Sequence, residues 1–216
     1  MPTAIRIPLD PEKVIALRHR RCTFTAEDVQ ADARDNWPRN VDMVWVLEHG
    51  AAQTKDRVWL ALAGLLQLQS VEGRNALCRA LRRILKRMLA RPGLGDVQAL
   101  GGELLALLDR VIASESLQNG PESREWAELE LRGWTKARRA DTPLQLAAST
   151  IARMSEAARY SPFAALSEII RAPAVLAAGA IPSDGDPAAV AQATAAEQAE
   201  YELQMQDVAA AYRGEL

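Results

Sequence analysis

Apolar residues recur along this chain at spacings of three and four, which is the period of an amphipathic helix. The stretch 54–70 is apolar on most of its circumference, as is typical of a central, buried helix. The stretch 96–113 carries one broad apolar face and is expected to form the core together with it. No stretch shows sustained alternation of polar and apolar residues, so no β-sheet is predicted.

The ends of the helices are marked by capping residues, proline and glycine. Four times a capping side chain is followed at once by proline, a pair that typically begins a helix, at Asp10-Pro11, Thr142-Pro143, Ser161-Pro162 and Asp186-Pro187. Glycines are predicted to end helices at Gly50, Gly93 and Gly179. These signals predict about ten helices, at roughly 11–20, 26–35, 41–49, 54–70, 73–91, 96–113, 121–139, 143–159, 162–171 and 187–213, with a short further helix at 173–178.

The predicted fold is all-α: a compact multi-helix bundle with an acidic C-terminal helical arm. Successive long helices could instead stack as a short α-solenoid, although no sequence signature recurs from one helix pair to the next. Residues 179–187, GAIPSDGDP, lack periodicity and are rich in turn-forming residues, which predicts a linker. We therefore divide the chain into a helical body, 1–179, and a segment 180–216 that holds the linker and an alanine-rich acidic helix.

Composition supports helices and reveals a charge asymmetry. Hydrophobic residues make up 49% of the chain but aromatic residues only 5%, and alanine and leucine, which favour helices, dominate the apolar set. Residues 1–179 hold 25 Lys and Arg against 21 Asp and Glu, whereas residues 180–216 hold one Arg against seven acids. The body is mildly basic and the C-terminal segment is acidic.

The helix predicted at 73–91 carries a basic face. Its cations fall within about 140° of the helical wheel, opposite the apolar side, and they are Arg79, Arg82, Arg83, Lys86 and Arg87. Like charges four residues apart repel on a helix, so an anionic partner would stabilise this face. The candidate partners are nucleic acid, an anionic membrane surface, and acidic side chains of this or another protein. A solvated face of a core-packed helix is the alternative interpretation.

A second basic stretch lies at Arg132, Lys136, Arg138 and Arg139, beside Trp134. An arginine beside a tryptophan can indicate stacking on nucleic-acid bases. The helical wheel, however, places Trp134 on the side of Leu131, away from most of the cations. We therefore predict that Trp134 packs into the core rather than against a base.

The C-terminal helix has an apolar seam at helical spacing, formed by Tyr201, Met205, Val208 and Tyr212. Such a seam must be buried, either on the body of the same chain or on another chain, including a second copy. In the second case these four residues would be a partner-binding surface.

The acids of this helix could also cover the basic face. They are Glu197, Glu200, Glu202 and Asp207. This hypothesis predicts that deleting residues 180–216 strengthens the binding of polyanions.

Signatures of catalysis and of cofactor binding are scarce. No HExxH, CxxC, GxSxG, P-loop or GxGxxG pattern occurs, so no metal, cofactor or catalytic residue is predicted. His19 and His49 lie in different predicted helices, and either could act as a general base. Glu125 and Glu128 are three residues apart, but the Glu-x-x-His pairs of di-iron bundles are missing.

Cysteine usage and hydropathy bear on the compartment. Cys22 and Cys78 have no metal-site or redox spacing, and we expect two free thiols in a reducing cytoplasm. No apolar run reaches 18 residues, so no membrane-spanning helix is predicted.

These observations give three functional hypotheses. The first is a non-enzymatic helical subunit or adaptor that binds another macromolecule, a protein partner or a second copy, through the C-terminal seam and the charged helix faces. The second is a nucleic-acid-binding protein, or a subunit of a nucleoprotein complex, that uses the basic helix Arg79–Arg87. The third is an enzyme that uses isolated carboxylates or a histidine.

Overall fold

The computed structural model describes residues 4–19, 22–114, 122–139, 141–160, 163–179 and 186–216. Within them the fold is an all-α multi-helix bundle. Its ten helices are α1 (Pro11–Leu17), α2 (Ala26–Asn36), α3 (Met43–His49), α4 (Thr54–Gln67), α5 (Val71–Leu89), α6 (Asp96–Ala113), α7 (Glu122–Ala137), α8 (Thr142–Tyr160), α9 (Phe163–Ala178) and α10 (Pro187–Arg213).

The predicted helix starts are confirmed at both ends of the chain. The Asp10 side chain accepts the backbone N–H of Lys13, and the Asp186 side chain accepts that of Ala188. In both cases proline follows at the first helical position, where its missing N–H costs nothing. Gly179 follows α9 with φ of 72°, a left-handed conformation that glycine adopts without strain.

The proline signals inside the body need one correction. At Thr142-Pro143 the helix begins one residue earlier than predicted, because the carboxylate of Asp141 lies 3.4 Å from the backbone nitrogen of Leu144 and takes the capping role. Ser161-Pro162 lies outside the described residues.

Helix α9 is longer than predicted. The predicted helix ends at residue 171, two residues before Pro173, and a proline inside a helix removes a helical hydrogen bond. The structure instead carries the helix through Pro173 to Ala178. The neighbouring residues Ile170, Ala172 and Ala174 are buried, and this burial offsets the lost hydrogen bond. The predicted short helix at 173–178 is therefore the second half of α9.

The prediction of no sheet was wrong by two short strands. Residues Pro8–Leu9 (β1) pair antiparallel with Val41–Asp42 (β2). As a result α3 begins at Met43 rather than at 41, and Asp42 caps it by accepting the backbone N–H of Trp45 at 3.0 Å. Two residues are too few to produce a detectable alternation.

Helix α4 is the centre of the bundle, as its sequence predicts. Every residue from 58 to 66 is buried, and the helix contacts α1, α3, α5, α9 and α10. Helix α6 also buries its apolar face, but it packs chiefly on α5, α7 and α8. Helix α5 contacts both α4 and α6 and therefore joins the two halves of the core. Such contacts between helices distant in sequence favour a bundle over a solenoid.

Helix α10, the predicted C-terminal arm, packs into the same core. It contacts α3, α4, α5 and α9. The hydroxyl of Tyr212 donates to the carbonyl of Ala61 in α4 at 2.8 Å, and the N–H of Ile5 donates to the carbonyl of Tyr212 at 2.6 Å. Residues 180–185 of the predicted linker lie outside the described part of the chain.

Helix α2 begins with a reciprocal capping box. The Thr25 hydroxyl accepts the backbone N–H of Asp28 at 3.1 Å, and the Asp28 carboxylate accepts the backbone N–H of Thr25 at 2.6 Å. The backbone donor of Thr25, aided by its hydroxyl, lowers the pKa of Asp28.

We predict an acid-dependent loss of this cap. A lowered folded-state pKa means that Asp28 stabilises the fold above its unfolded pKa, about 3.9, and that this contribution is lost as pH falls through the folded pKa. The difference in unfolding free energy between the wild type and Asp28→Asn should be constant above about pH 5 and should narrow below about pH 4. Urea unfolding from pH 3 to 7 measures this difference, and a difference independent of pH would contradict the prediction.

A matched pair of glycine substitutions tests the packing of α7 on α8. A Cβ at Gly133 would lie 2.9 Å from the Cβ of Ala152 and 3.1 Å from the carbonyl oxygen of Ala148, whereas a Cβ at Gly102 would meet nothing within 4 Å. Gly133→Ala should lower the free energy of unfolding by about 1–3 kcal/mol, because the backbone must move. Gly102→Ala, also inside a helix, should raise the free energy of unfolding by up to about 1 kcal/mol. Urea unfolding of both variants provides the measurement, and equal effects would contradict the close approach.

Candidate functional site

Helix α5 displays its cations because its other side is buried. Ser70 caps the helix by accepting the backbone N–H of Gly73 at 3.1 Å. The apolar side packs into the core through Leu77, Leu81, Ile84, Leu85 and Met88, which are all at most 3% exposed. At about 100° per residue, the five cations of the opposite side follow one another around the helix in the order Arg82, Lys86, Arg79, Arg83, Arg87.

One edge of this basic face is neutralised by α6. Arg82 Nε lies 2.5 Å from Asp109 Oδ1, and its Nη2 donates to Oδ2 at 3.4 Å. The Arg82 side chain is 31% exposed and that of Asp109 is 52% exposed. This pair is open to water, so it neutralises charge more than it stabilises the fold.

The other edge is neutralised by α10. Arg87 donates to Glu200 Oε1 through Nε and Nη2, both at 3.2 Å, and its Nη1 contacts Asp207. Arg91 donates to the second oxygen of Glu200 at 3.2 Å. Glu200 is only 3% exposed, and a carboxylate is stable at such a depth when it is paired and hydrogen-bonded. We call these four residues the Arg87 cluster.

The Arg87 cluster also reaches α9. Gln204 is wholly buried, and its Nε2 donates to the carbonyl of Ile170 at 3.1 Å and to Glu200 at 3.4 Å. Burial raises the pKa of Asp207, and donation from Arg87 opposes that effect. The cluster therefore joins α5, α9 and α10 through polar groups that are largely out of water.

The centre of the basic face remains open. Arg79, Arg83 and Lys86 span about 60° of the helix, and within the described residues none of them forms an ion pair. Arg83 and Lys86 are exposed, and Arg79 is half-buried. We call these three residues the central strip. Of the five cations predicted to bind a polyanion, Arg82 and Arg87 are therefore paired within the chain, and the three of the central strip remain available.

The apolar seam of α10 is covered by the chain's own helices. Tyr201, Val208 and Tyr212 are at most 6% exposed, and Met205 is half-buried against the same core. Burial raises the pKa of both tyrosines, and the hydroxyl of Tyr201 donates to Glu197 at 2.9 Å. The side chains predicted to bind a partner are thus occupied within the chain, and packing on the body is the arrangement that the structure displays.

The acids of α10 divide between two tasks. Glu200 and Asp207 contact Arg87, as the screening hypothesis expects. Glu197 instead accepts a hydrogen bond from Tyr201, and Glu202 accepts one from Gln198 at 3.4 Å. Deleting residues 180–216 would also remove the buried seam, so such a deletion tests folding before it tests screening.

The second basic stretch is partly neutralised within the chain. Arg132 binds Glu103 through two hydrogen bonds of 2.6 and 2.7 Å. Trp134 is half-buried, with the guanidinium of Arg153 4.6 Å from its ring centroid. Leu131, on the same side of the helical wheel as Trp134, is 66% exposed. The helix turns Trp134 towards α8 and leaves Leu131 on the outer side.

The remaining chemical candidates have structural partners. His49 stacks on Trp45 with ring centroids 5.4 Å apart. Glu125 pairs with Arg110, and Glu128 accepts a hydrogen bond from Arg124 at 2.8 Å. Across the described ranges no three His, Cys, Asp or Glu side chains come together as a metal site, and both cysteines are free thiols. No helix in these ranges is long and apolar enough to cross a membrane.

Sequence reasoning missed a polar cleft between α4, α9, α10 and the segment that joins α1 to α2. It holds His19, Lys55 and Arg171, together with Tyr201 from the predicted seam. These residues come from four separate parts of the chain and share no spacing, so no motif links them. The only available signal was the concentration of polar residues around His19.

We predict that the Arg87 cluster, and not the charge of α5 in general, stabilises the bundle. Arg87→Ala would leave the buried carboxylate of Glu200 with one partner fewer, at a cost of about 3 kcal/mol. Arg83→Ala, one turn away on the same helix, should change stability by less than about 0.5 kcal/mol. Urea unfolding of the two variants gives the comparison, and equal losses would contradict the role of the cluster.

Comparison with known proteins finds no matching family model, no matching curated protein and no matching solved structure. Function must therefore be argued from the residues of the site themselves.

Proposed function

We propose that this protein is a non-enzymatic helical adaptor that binds an acidic segment of a protein partner through the central strip of α5. The observation that carries the proposal is the absence of ion pairs at Arg79, Arg83 and Lys86, within the described residues, on a helix face whose flanking cations Arg82 and Arg87 are paired. The proposal keeps the part of the adaptor hypothesis in which a charged helix face binds the partner. The seam of α10 contributes to the fold rather than to the partner.

The shape of the central strip suits a narrow ligand. Its three cations stand at i, i+4 and i+7, so they form one row about 10 Å long at 1.5 Å per residue. A helix of a partner that carries acids at the same spacing would meet all three. Arg79 and Arg83 repel each other by a few tenths of a kcal/mol, and an acidic partner would relieve that repulsion.

The flanks of the strip favour a protein segment over a nucleic-acid duplex. Asp109 stands on one side and Asp207 on the other. A duplex presents one negative charge per about 1.7 Å of its axis, so phosphates outside the row would approach these carboxylates. A single acidic helix can place its charges in the row alone.

The other hypotheses receive less support. Nucleic acid remains the second candidate for the strip and is an arm of the experiment below. The carboxylates Glu125 and Glu128 are engaged by Arg110 and Arg124, so we propose no catalytic role for them. With two free thiols, we propose that the protein works in a reducing compartment such as the cytoplasm.

The experiment measures binding to a labelled alanine-based helical peptide with Glu at i, i+4 and i+7, at low salt, by fluorescence anisotropy. Each exposed ion pair contributes about 0.2–1 kcal/mol, so removing three should weaken binding roughly 3- to 100-fold. The variant is Arg79→Gln/Arg83→Gln/Lys86→Gln. The same peptide with Gln at the three positions should not bind.

A second variant separates position from net charge. Arg39→Gln/Arg138→Gln/Arg139→Gln removes three exposed cations elsewhere, and it should bind the acidic peptide like the wild type. Equal losses in the two variants, or no binding of the peptide, would overturn the proposal. Tighter binding of duplex DNA, with a log–log salt slope of about −3 that the central-strip variant abolishes, would put nucleic acid in its place.

A further inference from the structure

The cleft between α4, α9, α10 and the α1–α2 connection is a second concave site that shares no residue with the central strip. Its volume is about 200 Å³. The side chains that decide its chemistry are His19, Cys22, Lys55, Trp59, Arg171 and Tyr201. Concave sites that combine an apolar wall with a few convergent polar groups are the usual form of small-ligand sites.

One wall of the cleft is aromatic and held in place. The rings of His19 and Trp59 lie with centroids 4.6 Å apart. Trp59 is buried, and its Nε1 donates to the carbonyl of Leu17 at 3.1 Å, which fixes the indole. Ile170 adds aliphatic surface to the same wall. This side therefore offers apolar contact with a defined orientation.

The carboxylates of the cleft already accept hydrogen bonds. One oxygen of Asp56 accepts the backbone N–H and the hydroxyl of Thr23, at 2.8 and 2.6 Å. Glu197 accepts the hydroxyl of Tyr201 at 2.9 Å. Asp56 is only 3% exposed, and the two donors of Thr23 occupy one of its oxygens. These acids therefore hold neighbouring residues of the cleft in place rather than bind a cation.

The cations of the cleft have unused donors. Neither Lys55 nor Arg171 forms an ion pair with any described residue. A guanidinium carries five N–H donors and an ammonium three. Both cations line the same cleft. Burial raises the pKa of Tyr201 in this cleft, and the charge of Arg171 opposes that effect. The hydrogen-bond donors and positive charges that stay unused in this cleft therefore suit an anion.

We propose that the cleft binds a small organic anion, whose carboxylate or phosphate group meets Arg171 and Lys55 and whose apolar part lies against His19 and Trp59. The site binds its ligand without forming a covalent bond. Burial raises the pKa of the Cys22 thiol, so this sulfur is not an activated nucleophile.

The experiment uses the full chain and three probes: benzoate, inorganic phosphate, and benzamide as the uncharged match to benzoate. Titrations up to about 10 mM, followed by calorimetry and by the indole N–H resonance of Trp59, cover the affinity expected for so few atoms. Benzoate should bind and shift that resonance, whereas benzamide should not. Phosphate binding alone would assign the site to phosphate esters rather than carboxylates.

Three single substitutions locate the binding. Arg171→Gln and Lys55→Gln should each weaken benzoate binding at least about tenfold, because a charge-assisted hydrogen bond is lost. Lys86→Gln removes an equal charge from the central strip and should leave benzoate binding unchanged. Equal binding of benzoate and benzamide, no binding of either anion, or unchanged binding in the two cleft variants would overturn the proposal. The acidic-peptide experiment does not involve these residues, so the two proposals can fail separately.

Discussion

The architecture depends on the insertion of α10 between α4, α5 and α9. Burial of apolar side chains contributes most of the stability of this packing, because Val208 and Tyr212 are almost wholly removed from water. The Arg87 cluster favours the observed register of the helix, since Arg87 contacts Glu200 and Asp207 together in it. A buried ion pair adds little net stability compared with apolar packing, but it penalises every arrangement that leaves a charge unpaired.

The helices and their core faces could be predicted because these features are local. Caps such as Asp10-Pro11 and the apolar period of α4 are written into short stretches of sequence. The errors occurred where tertiary burial outweighed a local rule, as at Pro173, or where the signal was too short, as in β1 and β2. The exposure of Leu131 beside the half-buried Trp134 shows another limit, because the helical wheel gives relative direction and not the position of the neighbouring helix.

The candidate sites show the same limit. The wheel located the five cations of α5 correctly, but which of them stay available depends on Asp109 and Glu200, acids in other helices. The cleft at Trp59 could not be predicted at all, because Lys55 and Arg171 are adjacent only after α4 and α9 have packed. Local sequence thus determines the chemistry that each helix carries, and packing determines which part of it meets a partner.

The hydrogen bond from Tyr212 to Ala61 joins residues that are 151 positions apart. A helical protein usually folds fast because its contacts are local, but here the central helix is completed by a segment that is synthesised 151 residues later. At about 5–20 residues per second, α4 would wait roughly ten seconds or more before α10 could cover it. During synthesis the nascent chain would therefore display an apolar groove along α4, a surface that a chaperone could hold until α10 arrives.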